Sequence, residues 1–171
     1  AMLNGRPTDA SGTTVVCSVE GTRPILIEIQ ALVTRTNFGL PRRTSVGIDY
    51  NRVNLLMAVL EKRAGLRLGD CDVNLAGGMK LGEPAIDLGI VLSIVSSYKN
   101  QVIDEGTLIF GEVGLSGEVR GVSMAETRVR EAQKLGFTAC IMPKTNVEGI
   151  QGKYKIKLIG VANIKEAMEY I

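Results

Sequence analysis

The chain lacks histidine and tryptophan altogether, and aromatic residues make up only 4% of it. Its three cysteines, Cys17, Cys71 and Cys140, lie far apart without CxxC spacing. A zinc site of the usual Cys/His kind is therefore excluded, and free, mostly buried thiols of a reducing compartment are expected. The scarcity of aromatics disfavours recognition of single strands by base stacking. No apolar run reaches the roughly 18 residues of a membrane-spanning helix, so no membrane partner is expected.

What is present is the composition of one globular domain: 171 residues, 45% of them hydrophobic and 22% charged. The net charge is only +2, but its distribution is uneven. Residues 35–67 carry seven basic and two acidic residues, residues 68–118 two basic and eight acidic, and residues 119–171 nine basic and five acidic. Two interpretations stay open: ordinary solvated faces, or two basic surfaces on either side of an acidic one.

The pattern of turn-forming and apolar residues predicts one domain over residues 13–171. Residues 1–12 are polar and rich in Gly, Pro, Ser and Asp, which predicts a flexible lead-in or a remnant of cloning. The following segments alternate strand and helix patterns, with strands first and helices at about 52–65, 85–99, 124–136 and 163–171. We expect an α+β domain with a mostly continuous sheet and helices on one face.

Capping residues predict where individual helices begin and end. Asn51 is expected to cap the first helix and Ser123 the third, while Gly65 and Gly136 are expected to end them. The segment YKIKLIGV at residues 154–161 alternates charged and apolar residues, which predicts an edge strand.

A glycine-rich segment, GGMKLGEP, has part of the spacing of a phosphate-binding loop, because Gly77 and Gly82 stand five residues apart. Glu83 and Pro84 then occupy the places of the lysine and the hydroxyl residue of such a loop. A carboxylate would repel a phosphate, and proline removes a backbone donor. We therefore expect a shaping loop, and no cofactor in this chain.

Without histidine, nucleophilic catalysis by serine would need a lysine base. The serines lie in or after the apolar helix, in a turn or at a helix start, where packing and capping are their common roles: Ser93, Ser96, Ser97, Ser116 and Ser123. Asp87 is the notable carboxylate, since it stands near the start of an otherwise apolar helix. The helix dipole would stabilise its charge there by about 0.3–1 kcal/mol.

Several longer runs resemble a known family. GEVGLSGEVRG at residues 111–121 is similar to the GE-x-x-L-x-G-x-V segment of Lon-type peptidase domains, and residues 71–97 and 124–146 are similar to the elements around it. The runs at residues 19–33 and 41–65 are more specific. They resemble the C-terminal Lon protease-like domain of the RadA (Sms) family of bacterial DNA repair and recombination ATPases. The resemblance covers about residues 20–171.

The resemblance implies that the peptidase dyad is degenerate. The nucleophilic serine of Lon-type peptidases stands two residues before a glycine that matches Gly89, and this position is Asp87 here. The lysine base matches Arg128. An arginine cannot be deprotonated to act as a base, so no catalytic residue is expected in this chain. We expect Asp87 and Arg128 to form an ion pair instead.

The resemblance also implies a ribosomal S5 domain 2-like fold with a mixed sheet, and a role as a non-catalytic scaffold. That scaffold supports a hexameric ring and DNA binding during branch migration in the bacterial cytoplasm. Expected partners are duplex or branched DNA, further copies of the chain, a recombinase and the RecA-like motor of the same protein. ATP, magnesium and zinc belong to the motor and zinc finger that such proteins carry N-terminally, which would make the full-length protein a DNA-dependent ATPase.

Nine cations are candidates for contacts to DNA phosphates, because exposed basic side chains can bind the backbone without reading sequence. They lie in the two basic segments: Arg42, Arg43, Arg52, Lys62, Arg63, Arg67, Lys153, Lys155 and Lys157. The last three are predicted to share one face of a strand, where protection of a sheet edge is the alternative role. Two other functions stay open: a working peptidase that pairs Ser93 with Lys80 or Lys99, and a domain that binds only protein partners.

Overall fold

The structure, a computed structural model, describes residues 10–36 and 39–171, apart from the side chains of residues 79–81. The first nine residues of the predicted lead-in lie outside these ranges. Within them, the backbone N–H of Gly12 donates to Ser96 Oγ at 2.8 Å, and the N–H of Ala31 donates to Gly12 O at 2.8 Å. No helix in the described ranges is long and apolar enough to cross a membrane.

Helices and strands alternate along the described part of the chain, with one 3₁₀ turn at Pro84–Ile86. The strands are β1 (Thr13–Glu20), β2 (Arg23–Arg35), β3 (Arg43–Ile48), β4 (Cys71–Leu81), β5 (Thr107–Ile109), β6 (Glu112–Val113), β7 (Val119–Arg120), β8 (Ala139–Pro143) and β9 (Lys157–Val161). The helices are α1 (Tyr50–Ala64), α2 (Asp87–Lys99), α3 (Ala125–Lys134), α4 (Lys144–Glu148) and α5 (Ile164–Met168).

Seven strands form one mixed sheet in the order β3–β4–β2–β1–β5–β8–β9, and β6 and β7 form a separate hairpin. The predicted hairpin of β1 and β2 is confirmed, with Thr13 opposite Gln30 and Glu20 opposite Arg23. β2 also pairs antiparallel with β4, whereas the remaining neighbours in the sheet are parallel. Parallel neighbours need crossover connections, and α1, α3 and α4 lie in those between β3 and β4, β5 and β8, and β8 and β9. The α+β class is confirmed.

Helices cover both faces of the sheet, so the prediction of helices on one face is wrong. Val16 of β1 belongs to a core that contains buried residues of α1, α2 and α5. Its neighbours Val15 and Cys17 belong to a second core with Val129 and Ala132 of α3. Successive residues of a strand point to opposite faces, so α1 and α3 lie on opposite sides of the sheet.

Close contact between α2 and β1 places the start of α2 firmly against the sheet. A Cβ added at Gly89 would lie 2.1 Å from Val16 Cγ1, so only glycine fits at this approach. Thr14 Oγ1 also donates to Gly89 O at 2.9 Å. Because residues 87–97 are all buried, α2 is the central helix that its apolar sequence predicted.

Several local predictions differ from the structure. Asp49, rather than Asn51, caps α1 by accepting from the backbone N–H of Arg52. α3 begins after Met124, whose φ is 55°, so Ser123 does not cap it. Gly65 follows α1 with φ 73° and Gly136 follows α3 with φ 90°, as predicted. β4 continues to Leu81, so strand pairing extends into the segment expected to be a glycine-rich loop.

Candidate functional site

Asp87, which the resemblance aligns with the peptidase nucleophile, is the first residue of α2 and is fully buried. Arg52 in the first turn of α1 donates from Nε to Asp87 Oδ1 at 3.0 Å and from Nη2 to Oδ2. The backbone N–H of Val113 donates to the same Oδ2 at 3.1 Å. The carboxylate therefore joins α1, α2 and the β6–β7 hairpin.

The electrostatics of this pair follow from burial and hydrogen bonding. Burial raises the pKa of the Asp87 carboxyl, while the hydrogen bonds from Arg52 and Val113 oppose that rise. The hydrogen bond to Asp87 in turn raises the pKa of the Arg52 guanidinium. Both carboxylate oxygens are engaged by donors, so Arg52 and Val113 fix the position of the Asp87 side chain.

Arg128, which the resemblance aligns with the lysine base, is a fully buried residue of α3. Its Nη1 donates to Cys17 O at 2.6 Å and to Glu83 Oε2 at 3.2 Å, and its Nη2 donates to Glu83 Oε1. Nε and Nη2 both donate to Ser123 O, at 3.2 and 3.1 Å. The guanidinium carbon lies 5.8 Å from the centroid of the Phe110 ring. Arg128 thus fastens α3 to β1 and to the segment before α2.

Glu83 is the functional partner that the sequence did not predict. Besides Arg128, it accepts from Ser18 Oγ and from the backbone N–H of Val19, both at 3.0 Å. Burial raises the pKa of Glu83, but the bonds from Arg128, Val19 and Ser18 outweigh burial and hold it below its usual value. The available signal in the sequence is the one carboxylate of the glycine-rich segment at residues 77–84, whose expected effect was only to repel a phosphate.

The predicted ion pair between Asp87 and Arg128 is wrong, because each residue has another partner. Asp87 binds Arg52 from α1, and Arg128 binds Glu83. Glu83 and Asp87 lie at the two ends of the 3₁₀ turn, while α1 and α3 lie on opposite faces of the sheet. The two pairs therefore attach this turn to both helical layers.

A small cavity of about 150 Å³ lies beside the pairs. Its lining includes the side chains of Asp49, Arg52, Glu83 and Asp87. Within the described part of the chain, no cluster of three or more His, Cys, Asp or Glu side chains is arranged to hold a metal ion. The three cysteines are free and buried, as predicted.

The serines of α2 make structural hydrogen bonds. Ser93 is fully buried and its hydroxyl donates to Ile90 O at 2.7 Å. Ser97 Oγ accepts from the backbone N–H of Val33 at 2.9 Å. Of the lysines considered as a partner for Ser93, Lys99 is exposed at the end of α2, and the side chain of Lys80 lies outside the described residues.

Three of the six candidate cations in the first basic segment have structural partners. Arg43 donates from Nη2 to Leu68 O at 2.7 Å and from Nη1 to Cys71 O, Arg52 binds Asp87, and Arg63 Nε donates to Leu115 O at 3.3 Å. Arg63 is nevertheless exposed, as are three other candidates, just before β3 and at or just after the end of α1. We call these four the α1 surface: Arg42, Lys62, Arg63 and Arg67.

The three lysines of the second basic segment do not share one strand. Only Lys157 lies in β9, and Lys153 and Lys155 precede it in bends. All three are nevertheless exposed and alternate with the less exposed Tyr154 and Ile156. The prediction that one strand carries all three lysines is therefore wrong.

Comparison with known proteins places this arrangement in a family. Residues 32–146 match the family model described as "Subunit ChlI of Mg-chelatase". The chain belongs to this family. It is also 52% identical over 98% of its length to the DNA repair protein RadA of Halalkalibacterium halodurans, 54% over 97% to that of Bacillus subtilis, and 49% over 99% to that of Streptococcus pneumoniae. It spans 37%, 37% and 41% of those proteins.

These matches confirm the resemblance to the C-terminal Lon-like domain of RadA. Within the ChlI family match lie Arg52, Glu83, Asp87 and Arg128, the four residues of the two ion pairs. The candidate site in this chain consists of two ion pairs, Arg52–Asp87 and Arg128–Glu83, which attach the 3₁₀ turn to the helices on the two faces of the sheet.

Proposed function

We propose that the chain is a non-catalytic, Lon-like scaffold domain of a RadA-type DNA repair protein. It supports assembly of an oligomeric ring and contacts DNA during branch migration and related processing of recombination intermediates. The observation that carries the proposal is the 49–54% identity to DNA repair proteins over nearly the whole chain. We assign the fold to the ribosomal S5 domain 2-like class on the same resemblance.

The absence of peptidase activity rests on the chemistry of the two dyad positions. A Ser–Lys mechanism needs a hydroxyl and a neutral amine within reach of each other. Asp87 offers a carboxylate bound by Arg52, and Arg128 offers a guanidinium that keeps its proton. We expect no cleavage of casein or of a fluorogenic peptide, with an active Lon-type peptidase as the positive control.

We also assign activities to the other parts of a full-length RadA-type protein. ATP hydrolysis, with its magnesium, and zinc binding are assigned to other parts of a RadA-type protein, and this chain serves the motor as a scaffold. Its expected partners are the RecA-like motor, further copies of itself, a recombinase and duplex or branched DNA. The compartment is the bacterial cytoplasm.

For DNA contact, the α1 surface is the favoured part of the first basic segment. Its four side chains are exposed, with one hydrogen bond from Arg63 Nε to Leu115 O, whereas the guanidinium groups of Arg43 and Arg52 each make at least two bonds, to carbonyl oxygens or to Asp87. Exposed cations near a helix end can bind phosphates without a base preference.

The test is fluorescence anisotropy of a labelled duplex with the wild-type chain and with Lys62→Glu/Arg67→Glu. We expect the affinity of the α1 surface for duplex to fall about tenfold at 0.1 M salt, with its salt slope reduced by about 2, because two phosphate contacts are lost. Lys144→Glu/Lys165→Glu is the matched control, since it makes the same charge change at exposed positions outside the α1 surface. Equal affinities for the two double variants would exclude the α1 surface from DNA contact.

A further inference from the structure

A second group of exposed cations lies on the opposite side of the sheet from α1. Arg130 and Lys134 are exposed on α3, one helical turn apart. Three exposed lysines lie in and just before the start of β9. We call this group the α3 surface: Arg130, Lys134, Lys153, Lys155 and Lys157.

Hydrogen bonds hold the lysine segment against α3. Gln133 Oε1 accepts from the backbone N–H of Lys155 at 2.8 Å and of Ile156 at 3.1 Å. Tyr154 OH donates to Glu126 Oε2 at 2.5 Å, and Ile156 is buried in the core beneath α3. The segment is therefore fixed along α3 with its lysines pointing outward, so the two groups of cations form one surface.

The charge of this surface is incompletely balanced. Lys153 Nζ lies 3.7 Å from Glu126 Oε1, and Arg130 also lies near that carboxylate. Tyr154, Lys153 and Arg130 together lower the pKa of Glu126, with the hydrogen bond from Tyr154 as the main cause. α3 contributes two carboxylates, Glu126 and Glu131, so the five cations still leave an excess of positive charge.

The geometry suits a regular line of negative charges. Lys155 lies in the bend before β9 and Lys157 is the first residue of β9, and two residues of chain span at most about 7 Å. A DNA strand offers a phosphate about every 3.4 Å of helix axis, so neighbouring lysines can meet separate phosphates. The hydroxyl of Tyr154 is bound to Glu126 and its ring packs against the core, which favours contact with a duplex backbone over stacking on exposed bases.

We propose that the α3 surface binds the phosphate backbone of duplex DNA, as a site separate from the α1 surface. The two surfaces belong to helices on opposite faces of the sheet, so a straight duplex on one cannot reach the other. The domain can thus hold DNA on both of its faces. This inference rests on the proposed function, because it assumes that the chain contacts DNA.

The experiment measures anisotropy of a labelled duplex over a salt series with four chains: wild type, Arg130→Glu/Lys134→Glu, Lys62→Glu/Arg67→Glu and the control Lys144→Glu/Lys165→Glu. Separate sites bind duplex independently, so we expect wild type to bind two short duplexes per chain at 0.1 M salt, and the α3 variant and the α1 variant to bind one each. The affinity of the altered site should fall about tenfold, with its salt slope reduced by about 2. Only the combined variant of both surfaces should show an overall affinity about tenfold below that of wild type. Arg130→Ala/Lys134→Ala repeats the test without charge reversal, and melting temperatures establish that every variant is folded.

The outcomes distinguish the inference from the function on which it rests. If wild type binds and the α1 variant weakens binding, but the α3 variants match the control, the α3 surface is not a DNA site and the proposed function stands. That result would leave an acidic protein surface as the partner of these cations. If the wild-type chain does not bind duplex at low salt, DNA contact fails and the inference fails with it.

Discussion

Arg52 and Asp87 join the first turns of α1 and α2 by a two-point ion pair, at the position where Lon-type peptidases carry their nucleophile. The carboxylate is fully buried, while the arginine side chain keeps 31% of its exposure. A second pair, between Arg128 and Glu83, involves the residue that the resemblance aligns with the base. Both pairs attach one structural layer to the next.

Asp87→Asn tests the first pair. The amide keeps the size of the side chain but leaves the guanidinium without its counter-ion, so we expect a loss of about 1–3 kcal/mol of unfolding free energy. Urea denaturation measures it. Asp70→Asn, at an exposed aspartate, is the control and should change stability by less than about 0.5 kcal/mol. Equal stability of the two variants would contradict a structural role for Asp87.

Arg128→Met tests the second pair. Methionine donates no hydrogen bond, so Glu83, Cys17 O and Ser123 O lose the donor that Arg128 supplies. We expect the free energy of unfolding to fall by about 3–5 kcal/mol. Arg130→Met, an exposed arginine on the same helix, should cost far less. Arg128→Lys keeps the charge but loses the planar fork, and an intermediate stability is expected.

Double-mutant cycles test which carboxylate belongs to which arginine. Arg128→Met combined with Glu83→Gln should give a coupling energy of about 1–3 kcal/mol, because the two side chains are in contact. The same arginine variant combined with Asp87→Asn should be additive within about 0.5 kcal/mol. Strong coupling between Arg128 and Asp87 would restore the pairing that the sequence predicted.

The pH dependence of stability tests the hydrogen bonding of Glu83. Its pKa in the folded chain lies below the ordinary 4.5, so its ionised form stabilises the fold above pH 4.5. That contribution is lost as the pH falls from about 4.5 through the lower folded pKa. Wild type should therefore exceed Glu83→Gln in melting temperature at pH 7, and the gap should narrow below pH 4.5. A gap that stays constant would show that the charge of Glu83 contributes nothing.

Much of the fold follows from local patterns in the sequence. The β1–β2 hairpin, the apolar helix α2 and the glycines after α1 and α3 are all predictable from periodicity and turn chemistry. The two-sided packing of the sheet is not, because Val15 and Val16 are equally apolar and their sequence does not say which helix covers each face. The residue that caps α1 is not predictable either, because Asp49 and Asn51 are both good capping residues and lie within one turn of each other.

The candidate site was only half predictable. The resemblance to Lon-type peptidases identifies the positions Asp87 and Arg128 in the sequence. Positions in a sequence do not give the distance between the two side chains. Their partners, Arg52 and Glu83, stand 35 and 45 residues away along the chain, where no local pattern relates them. The sequence alone shows the three alternating lysines of the α3 surface. Its two helical cations, Arg130 and Lys134, join them only because Gln133 holds the lysine segment against α3.

Buried thiols supply another test of the core. Burial raises the pKa of Cys17 and of Cys140 to about 12, so almost no thiolate exists at pH 8. We expect the native chain to react slowly with a thiol-specific disulfide reagent and to release the signal of all three cysteines once it is unfolded in urea. Rapid reaction of Cys17 or Cys140 in the native chain would contradict the packing of β1 and β8.

Sedimentation velocity of this chain at micromolar concentration, with and without labelled duplex DNA at low and physiological salt, tests the scaffold most directly. If the chain assembles into a ring and contacts DNA, we expect a ring-sized species that carries the duplex and releases it as salt rises, since phosphate contacts exchange with counterions. A monomer that sediments unchanged beside free DNA at low salt would contradict it.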